Sequence, residues 1–508
     1  MSLLGLDIGT SGVKALLIDE AGTTLASATS EYPLSTPHPN WAEQDPADWW
    51  KATVEVIRKV LAKPGVHARD IKGIGLSGQM HSLVLLDKEK QVLRPSILWC
   101  DTRTDGECAE ITEQVGRERL RALVSNPALE GFTLPKIIWV RNNEPDVYAN
   151  IHTVLLPKDY VRFLLTGEFA MEVSDAAGTL MFDVAHRAWS TQLLKIVNVP
   201  AEWLPPVFES IDVCGQVTRA TAELTGLQEG TPVVGGGADN PCGAVGTGVV
   251  KQGRVLASIG TSGVVFAFSD LVRVEPGMRV HTFCHSVPGA WYLMGVVLMA
   301  GGALRWYRDT FAQEEKASAS AAGRDVYDIL TEEAATVSPG SEGLFFLPYL
   351  VGERTPHQSA SARGAFIGAT IRHTKKHFTR AVLEGITFGM KDSLAIMEGL
   401  GVEIKQIRLT GGGAKSAFWR RLQANIYGRE VALVNASEGP AFGAALLAGA
   451  GTRVYGDLVD AVENAVRVTE TIAPDSEQAK HYAELFGIYQ ELYPVLRSSF
   501  MRIHSLER

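Results

Sequence analysis

Short apolar runs alternate with amphipathic stretches along the chain, and this alternation predicts an α/β protein. Near the N-terminus, residues 3–6 and 13–18 read as buried strands. A Pro-rich loop over residues 33–46 leads to a helix with Asp45 as N-cap, Pro46 at its first position and Asp48 in its first turn. Trp50, Val54, Ile57, Val60 and Leu61 recur there at helical spacing and mark the inward face. Strand-like runs follow at residues 71–76 and 83–86, and Val233-Val234 breaks into Gly235-Gly236-Gly237-Ala238-Asp239. The second half repeats this arrangement, with strands at 255–259 and 264–268, a helix, a strand at 407–410 and another glycine turn. Residues 312–325, rich in Ala, Ser and charge, are expected to form an exposed loop or insertion. Tyr482, Leu485, Phe486, Tyr489 and Leu492 mark a last amphipathic helix.

The chain also resembles itself. Asp7-Ile-Gly-Thr-Ser-Gly-Val13 returns as Ser258-Ile-Gly-Thr-Ser-Gly-Val264, and the apolar runs that follow end at Asp19 and Asp270. The offset is about half of the 508 residues, so two related domains are expected, 1–249 and 250–508, the second ending in the C-terminal helix. The boundary is expected near residues 245–254, where Gly246-Thr247-Gly248 and Gly253 separate patterned segments.

Composition narrows the classes. With 48 Lys plus Arg against 57 Asp plus Glu, the net charge is −9. Phosphate-backbone contacts need clustered cations, so a nucleic-acid partner is not expected. The longest uncharged apolar stretch, residues 290–304, is interrupted by three glycines and falls short of the roughly 20 residues a membrane span requires, so it reads as core. The N-terminus lacks a positively charged leader, and the five cysteines form no C-x-x-C pair; a cytoplasmic protein with free thiols is expected.

No P-loop, dinucleotide fingerprint, zinc-protease or esterase motif is present in the sequence. What remains is a set of glycine turns at strand ends. Gly9-Thr10-Ser11-Gly12 and Gly260-Thr261-Ser262-Gly263 can each aim backbone N–H groups and hydroxyls at one spot, a donor set that suits phosphate oxygens. Gly411-Gly412-Gly413-Ala414-Lys415-Ser416 lies between a strand and a helix and can face an anion or a nucleoside. Singly, each is more often just a tight turn; together they point to a nucleotide. Asp7, beside the first turn, would repel phosphate unless Mg²⁺ intervened. Asp239 follows three glycines, which let a ligand approach closely, so it can accept a proton from an attacking hydroxyl; an ordinary turn former is the plainer reading. His81, on the Gly78-Gln79-Met80-His81 turn, can grip a polyol or be only a satisfied turn residue. Trp99 and Asp101 offer an aromatic face and an acid for a sugar, with core packing as the plainer fate of the Trp.

These segments identify a resemblance. Leu6–Lys14, Trp41-Ala-Glu-Gln-Asp-Pro46, Ser77–His81, Leu98–Asp101, Gly131–Lys136, Leu155–Tyr160, Ser174–Thr179, Gly236–Asn240, Gly352-Glu-Arg-Thr-Pro-His357 and Gly411–Ala414 are similar to segments of the FGGY carbohydrate kinases, within the actin, sugar kinase and Hsp70 ATPase superfamily. The resemblance covers nearly the whole chain. It implies two ribonuclease-H-like domains with ATP and Mg²⁺ in the cleft between them. It implies Asp239 as proton acceptor and Asp7 as the residue that positions metal, directly or through water, and phosphate. Met80, His81, Trp99, Asp101, Asp239 and Asn240 would meet the sugar; Gly9, Thr10, Ser11, Gly260, Thr261, Gly301, Gly412, Gly413 and Ser416 would meet the nucleotide. The Gln-Met-His turn and the Gly-Glu-Arg-Thr-Pro-His run resemble members acting on D-xylulose rather than on glycerol. Cys100, where a polar residue such as Asn is common, and Arg305, near the expected adenosine, are departures. Two alternatives remain: the same chemistry on ribulose, a deoxy-ketose, an alditol or glycerol, and a nucleotide-switched sugar sensor of the same fold. A sensor would be expected to carry an added DNA- or peptide-binding segment. The sequence leaves the oligomeric state open, with a homodimer as the assembly to test.

Overall fold

The computed structural model describes residues 1–435 and 439–506. Two seven-stranded mixed sheets form its frame. The first runs Val213–Gln216, Pro232–Val234, Ile71–Gly78, Ser2–Ile8, Gly12–Asp19 and Thr24–Glu31, with Gly237–Ala238 added beside Ile71–Gly78. The second runs His281–Cys284, Trp291–Val297, Gly263–Ser269, Gly253–Ile259, Ile404–Gly411, Glu430–Val434 and Val468–Ile472.

The repeated sequence builds repeated topology. Ser2–Ile8 pairs antiparallel with Gly12–Asp19 and parallel with Ile71–Gly78; Gly253–Ile259 pairs antiparallel with Gly263–Ser269 and parallel with Ile404–Gly411. Asp7 lies opposite Ser77 as Ser258 lies opposite Thr410. Both duplicated turns therefore sit at the same end of a central strand, next to the strand end that a parallel neighbour contributes. In open α/β sheets, such strand ends are where ligands bind.

The helix Pro46–Leu61 forms where expected, with the Asp45 carboxylate accepting the Ala47 N–H at 2.9 Å. Trp49, rather than Trp50, is its fully buried tryptophan. The stretch 290–304 becomes the buried strand Trp291–Val297 and the start of the helix Gly301–Phe311. The C-terminal helix, Ser476–Leu506, buries Tyr482, Phe486 and Tyr489 as its pattern predicts, together with Tyr493 and Phe500. Residues 312–325 correct the sequence reading: Gln313–Ala322 is a helix, not a loop. Alanine is the strongest helix former, Glu314 and Glu315 complement the positive helix start, and Gly323 closes the helix in a left-handed conformation at φ 62°.

The helix Gly439–Gly451, from the second half of the sequence, packs on the first sheet. A side chain at Gly5 would run into the Ala441 carbonyl, and one at Gly75 into the Ala444 carbonyl. The same helix crosses Asp239–Gly246, where a side chain at Gly443 would strike the Cys242 carbonyl. Glycine is required at these positions because backbone meets backbone. Among the described residues, no helix is long and apolar enough to cross a membrane, and all five cysteines are free.

Candidate active site

Two adjoining cavities open where the turns converge. The larger, about 630 Å³, is lined by Gly260, Thr261, Gly301, Gly412, Gly413 and Ser416. The smaller, about 270 Å³, is lined by Met80, His81, Trp99, Asp239 and Asn240, with Ser262 in its wall. One turn thus serves both: Gly260 and Thr261 face the larger space and Ser262 the smaller.

The larger cavity is built from close backbone approaches. Gly301 N–H donates to Gly260 O at 2.9 Å, and Gly302 N–H donates to Thr261 O at 2.9 Å. A side chain at Gly301 would strike the Gly260 carbonyl, and one at Gly413 would press on Ile259. Ser416 caps the helix Ala417–Tyr427 by accepting the Trp419 N–H. Arg305 donates to Thr261 Oγ1 at 2.7 Å. Tyr327, Asp325, Asp328 and Thr331 complete the wall and carry no signal in the sequence, where Asp325 falls in the expected loop.

The first turn lines neither cavity directly. Its carbonyls are held by buried amides: Gln44 Nε2 donates to Thr10 O at 2.6 Å and Gln79 Nε2 to Gly9 O at 3.3 Å, while Tyr32 OH also donates to Gly9 O. Trp99 Nε1 donates to Thr10 Oγ1 at 2.9 Å, so one tryptophan joins the first turn to the smaller cavity. Ser11 is exposed. Asp7, at the strand end before the turn, has its carboxyl pushed up to about 7 by burial and then by the charge of Asp239. Among the described residues, its buried Oδ1 meets no hydrogen-bond partner. An unsatisfied carboxylate oxygen near a second acid fits a hydrated divalent cation that takes its other ligands from phosphate.

Asp239 opens the helix Asp239–Gly246. The turn before it is fixed from below: Gly236 has φ 75°, Arg162 donates to Gly235 O at 2.7 Å, and Ala238 N–H donates to Ser174 Oγ at 3.0 Å. Ser174 in turn donates to buried Glu172 at 2.7 Å. Burial pushes the Asp239 carboxyl up to about 6, against the pull of the Asn240 N–H and side-chain amide, which donate to Oδ1 at 2.7 and 3.0 Å. A carboxylate in that range is ionised at neutral pH yet basic enough to take a hydroxyl proton.

His81 sits at φ 70°, in the left-handed region, and its Nδ1 lies 2.5 Å from Gly178 O. Burial holds the imidazole near pKa 3, so the ring is neutral. With the Nδ1 proton given to a carbonyl, Nε2 is left as an acceptor for a hydroxyl. His281 repeats this arrangement, its Nδ1 3.0 Å from Asn126 Oδ1. Asp101 does not reach the cavity. Its buried carboxylate accepts the Ala42 N–H at 2.6 Å and pairs with Arg103 at 2.6 Å. Cys100, beside it, is exposed.

Family models agree with this arrangement. The N-terminal domain of the FGGY family of carbohydrate kinases matches residues 2–246, and the C-terminal domain of that family matches residues 255–452. The chain belongs to the FGGY carbohydrate kinases. A xylulose kinase of Bacillus subtilis is 40% identical over 491 residues, covering 97% of this chain and 96% of the relative. A xylulose kinase of Escherichia coli is 38% identical over 498 residues, covering 97% and 99%. The crystal structure of a xylulose kinase from Rhodospirillum rubrum superposes with a TM-score of 0.92 at 33% identity, covering 99% of this chain and 100% of that one. Kinases of this family use ATP, and this FGGY kinase carries both domains that define it.

Proposed function

We propose that this carbohydrate kinase transfers the γ-phosphoryl group of ATP to the 5-hydroxyl of D-xylulose, in the cytoplasm. The observation that carries this reading is the shared turn: a polyol-sized cavity holding Asp239 and a nucleotide-sized cavity meet at Gly260-Thr261-Ser262. The similarity to xylulose kinases selects the sugar.

Asp239 accepts the hydroxyl proton as the sugar oxygen attacks in line, and Asn240 keeps the carboxylate oriented through its two hydrogen bonds. His81 receives a sugar hydroxyl on Nε2, Met80 packs beside it, and Trp99 lays its ring along the cavity wall. Gly260 and Thr261 of the second turn face the phosphates, and Gly301, Gly412, Gly413 and Ser416 border the nucleoside; Gly9, Thr10 and Ser11 of the first turn would meet the phosphates only as the lobes close. Asp7, whose free Oδ1 fits the ion, would hold Mg²⁺. When bound, that ion offsets the charge on the transferring phosphates. A division at 249/250 gives two lobes whose closure excludes water from ATP. The helix Gly439–Gly451 would then belong to the second lobe while resting on the first sheet, a contact suited to a hinge.

A coupled ADP-release assay with MgATP and a panel of ketoses, alditols and aldonates tests the reading. The highest kcat/KM is expected for D-xylulose; a higher value for a sugar acid, an alditol or glycerol would replace it.

A further inference from the structure

Among the described residues, one side chain of the smaller cavity has no hydrogen-bonding partner for its head. Arg354 is the only Lys or Arg among the residues lining that space, on the opposite side of the sequence from Met80, His81 and Asp239. Its backbone is pinned. Arg354 N–H donates to Glu353 Oε1 at 2.7 Å, and the same oxygen accepts Leu298 N–H at 2.9 Å. The next residue, Thr355, is laced to Val296 in both directions, N–H to O at 3.0 Å and Oγ1 accepting N–H at 3.1 Å.

The head of the side chain is treated differently. Among the described residues the Arg354 guanidinium makes no hydrogen bond or ion pair, whereas the buried Arg162 and Arg380 each hold a carboxylate. Glu130 and Glu353 act on it only through space, and its charge presses on His81 and His281, both held neutral. Partial burial of an unpaired cation costs stability, and folded proteins ordinarily pair such groups. A rigid backbone with an unpaired, partly buried head is the arrangement of a residue placed for a ligand.

The Asp239 carboxylate and Nε2 of neutral His81 and His281 are acceptors, the amide of Asn240 and the indole N–H of Trp99 are spent on Asp239 and Thr10, and the Ser262 hydroxyl is the one small donor left beside Arg354 among the lining side chains. A polyol offers hydroxyls that both donate and accept, plus a ketose carbonyl that only accepts. The wall supplies abundant acceptors, so the sugar's own lone pairs need a donor. Arg354 provides five N–H groups in a planar fork.

We infer that Arg354 is an acceptor-binding residue contributed by the second half of the chain, donating to sugar oxygens across the cavity from His81 and Asp239. This rests on reading the smaller cavity as the sugar site. Neighbouring Glu353 is a positioning residue: it holds both Arg354 and Leu298, three residues before Gly301 of the nucleotide cavity.

The test is calorimetric titration of D-xylulose and of a non-hydrolysable ATP analogue into wild type, Arg354→Met and Arg354→Lys, with thermal melting of each ligand-free protein. Arg354→Met is expected to weaken D-xylulose binding about tenfold to a hundredfold, as loss of charged hydrogen bonds does. The analogue's affinity should stay within about twofold of wild type. Its Tm should equal or exceed that of wild type, because an unpaired cation has been removed. Arg354→Lys, which keeps charge and loses the fork, should fall between the two. Sugar affinity within twofold of wild type in both variants would overturn the inference, as would a loss of affinity accompanied by a Tm drop of several degrees in both. If wild type prefers another polyol of the panel, that polyol replaces D-xylulose in the titration, so a wrong sugar and a wrong residue give different results. Wild type that binds no polyol would overturn both readings.

Discussion

The turns at Gly9–Gly12 and Gly260–Gly263 carry one sequence and occupy one place in two sheets, but their surroundings differ. Each is closed by the N–H of its first glycine, which donates to Gly12 O in one and Ser262 O in the other. The first is braced by side chains, Tyr32, Gln44, Gln79 and Trp99, and preceded by an acid. The second is braced by the backbone of Ala300–Gly302 and by Arg305, and preceded by Ser258. A duplicated frame supplies the turn twice, while Asp7 against Ser258 decides which copy carries the acid, and Arg305 puts a cation on the other. That asymmetry is expected where metal and transferring phosphate meet one turn and the rest of the nucleotide meets the other.

Removing the asymmetry between the turns carries a large expected effect. Asp7→Ser should lower kcat by about 10² or more, the scale of a lost electrostatic contribution in a phosphoryl-transfer site. D-Xylulose affinity, read by calorimetry, should stay near normal. The matched change Ser258→Ala should leave kcat within about twofold, since no charge is lost. Equal losses in the two variants would show that the turns are interchangeable.

A smaller effect is expected at the sugar. His81→Ala should raise the KM for D-xylulose by about 2–15-fold, the worth of one neutral hydrogen bond, and leave the KM for ATP nearly unchanged. A wild-type sugar KM would make His81 only a turn residue.

The smallest effect concerns stability and pH. Asp7 titrates near 7 when folded and near 3.8 when exposed, so the folded protein holds the extra proton between these values. Its ionised carboxylate therefore destabilises the ligand-free fold above pH 7, and this cost fades as pH falls toward 4. Asp7→Asn, without metal or nucleotide, should melt higher than wild type at pH 8 and equally near pH 4.5. A difference independent of pH would remove the charge explanation.

Much of this frame is legible in the sequence because period and glycine placement are local. Strands 3–6 and 13–18, the Asp45 cap and the duplicated turns depend on few neighbours, and they form as Ser2–Ile8, Gly12–Asp19 and Pro46–Leu61. Residues 312–325 mislead because alanine and charge suit a solvated loop and an exposed helix alike, and only the cap at Gly323 separates them. Asp101 looks like a sugar ligand because an acid beside a tryptophan gives no sign of which way it turns. Its direction is set by Arg103 and the Ala42 N–H, 59 residues away in sequence. Arg354 lies within the Gly352–His357 run without a role of its own there, since the signal that singles it out is the absence of a partner, and that exists only in three dimensions.

Asp239, at the meeting of the two cavities, is expected to take the proton of the attacking hydroxyl. Asp239→Asn keeps the shape and removes the basic oxygen. Steady-state kinetics with D-xylulose and MgATP should show kcat lowered by about 10²–10⁴, the contribution of a general base, with both KM values changed little. In wild type, kcat/KM should fall with acid through an apparent pKa of about 6, where the Asp239 carboxyl titrates. A variant that keeps more than about a tenth of wild-type kcat would contradict the assignment, because general-base catalysis supplies at least ten times more than that loss.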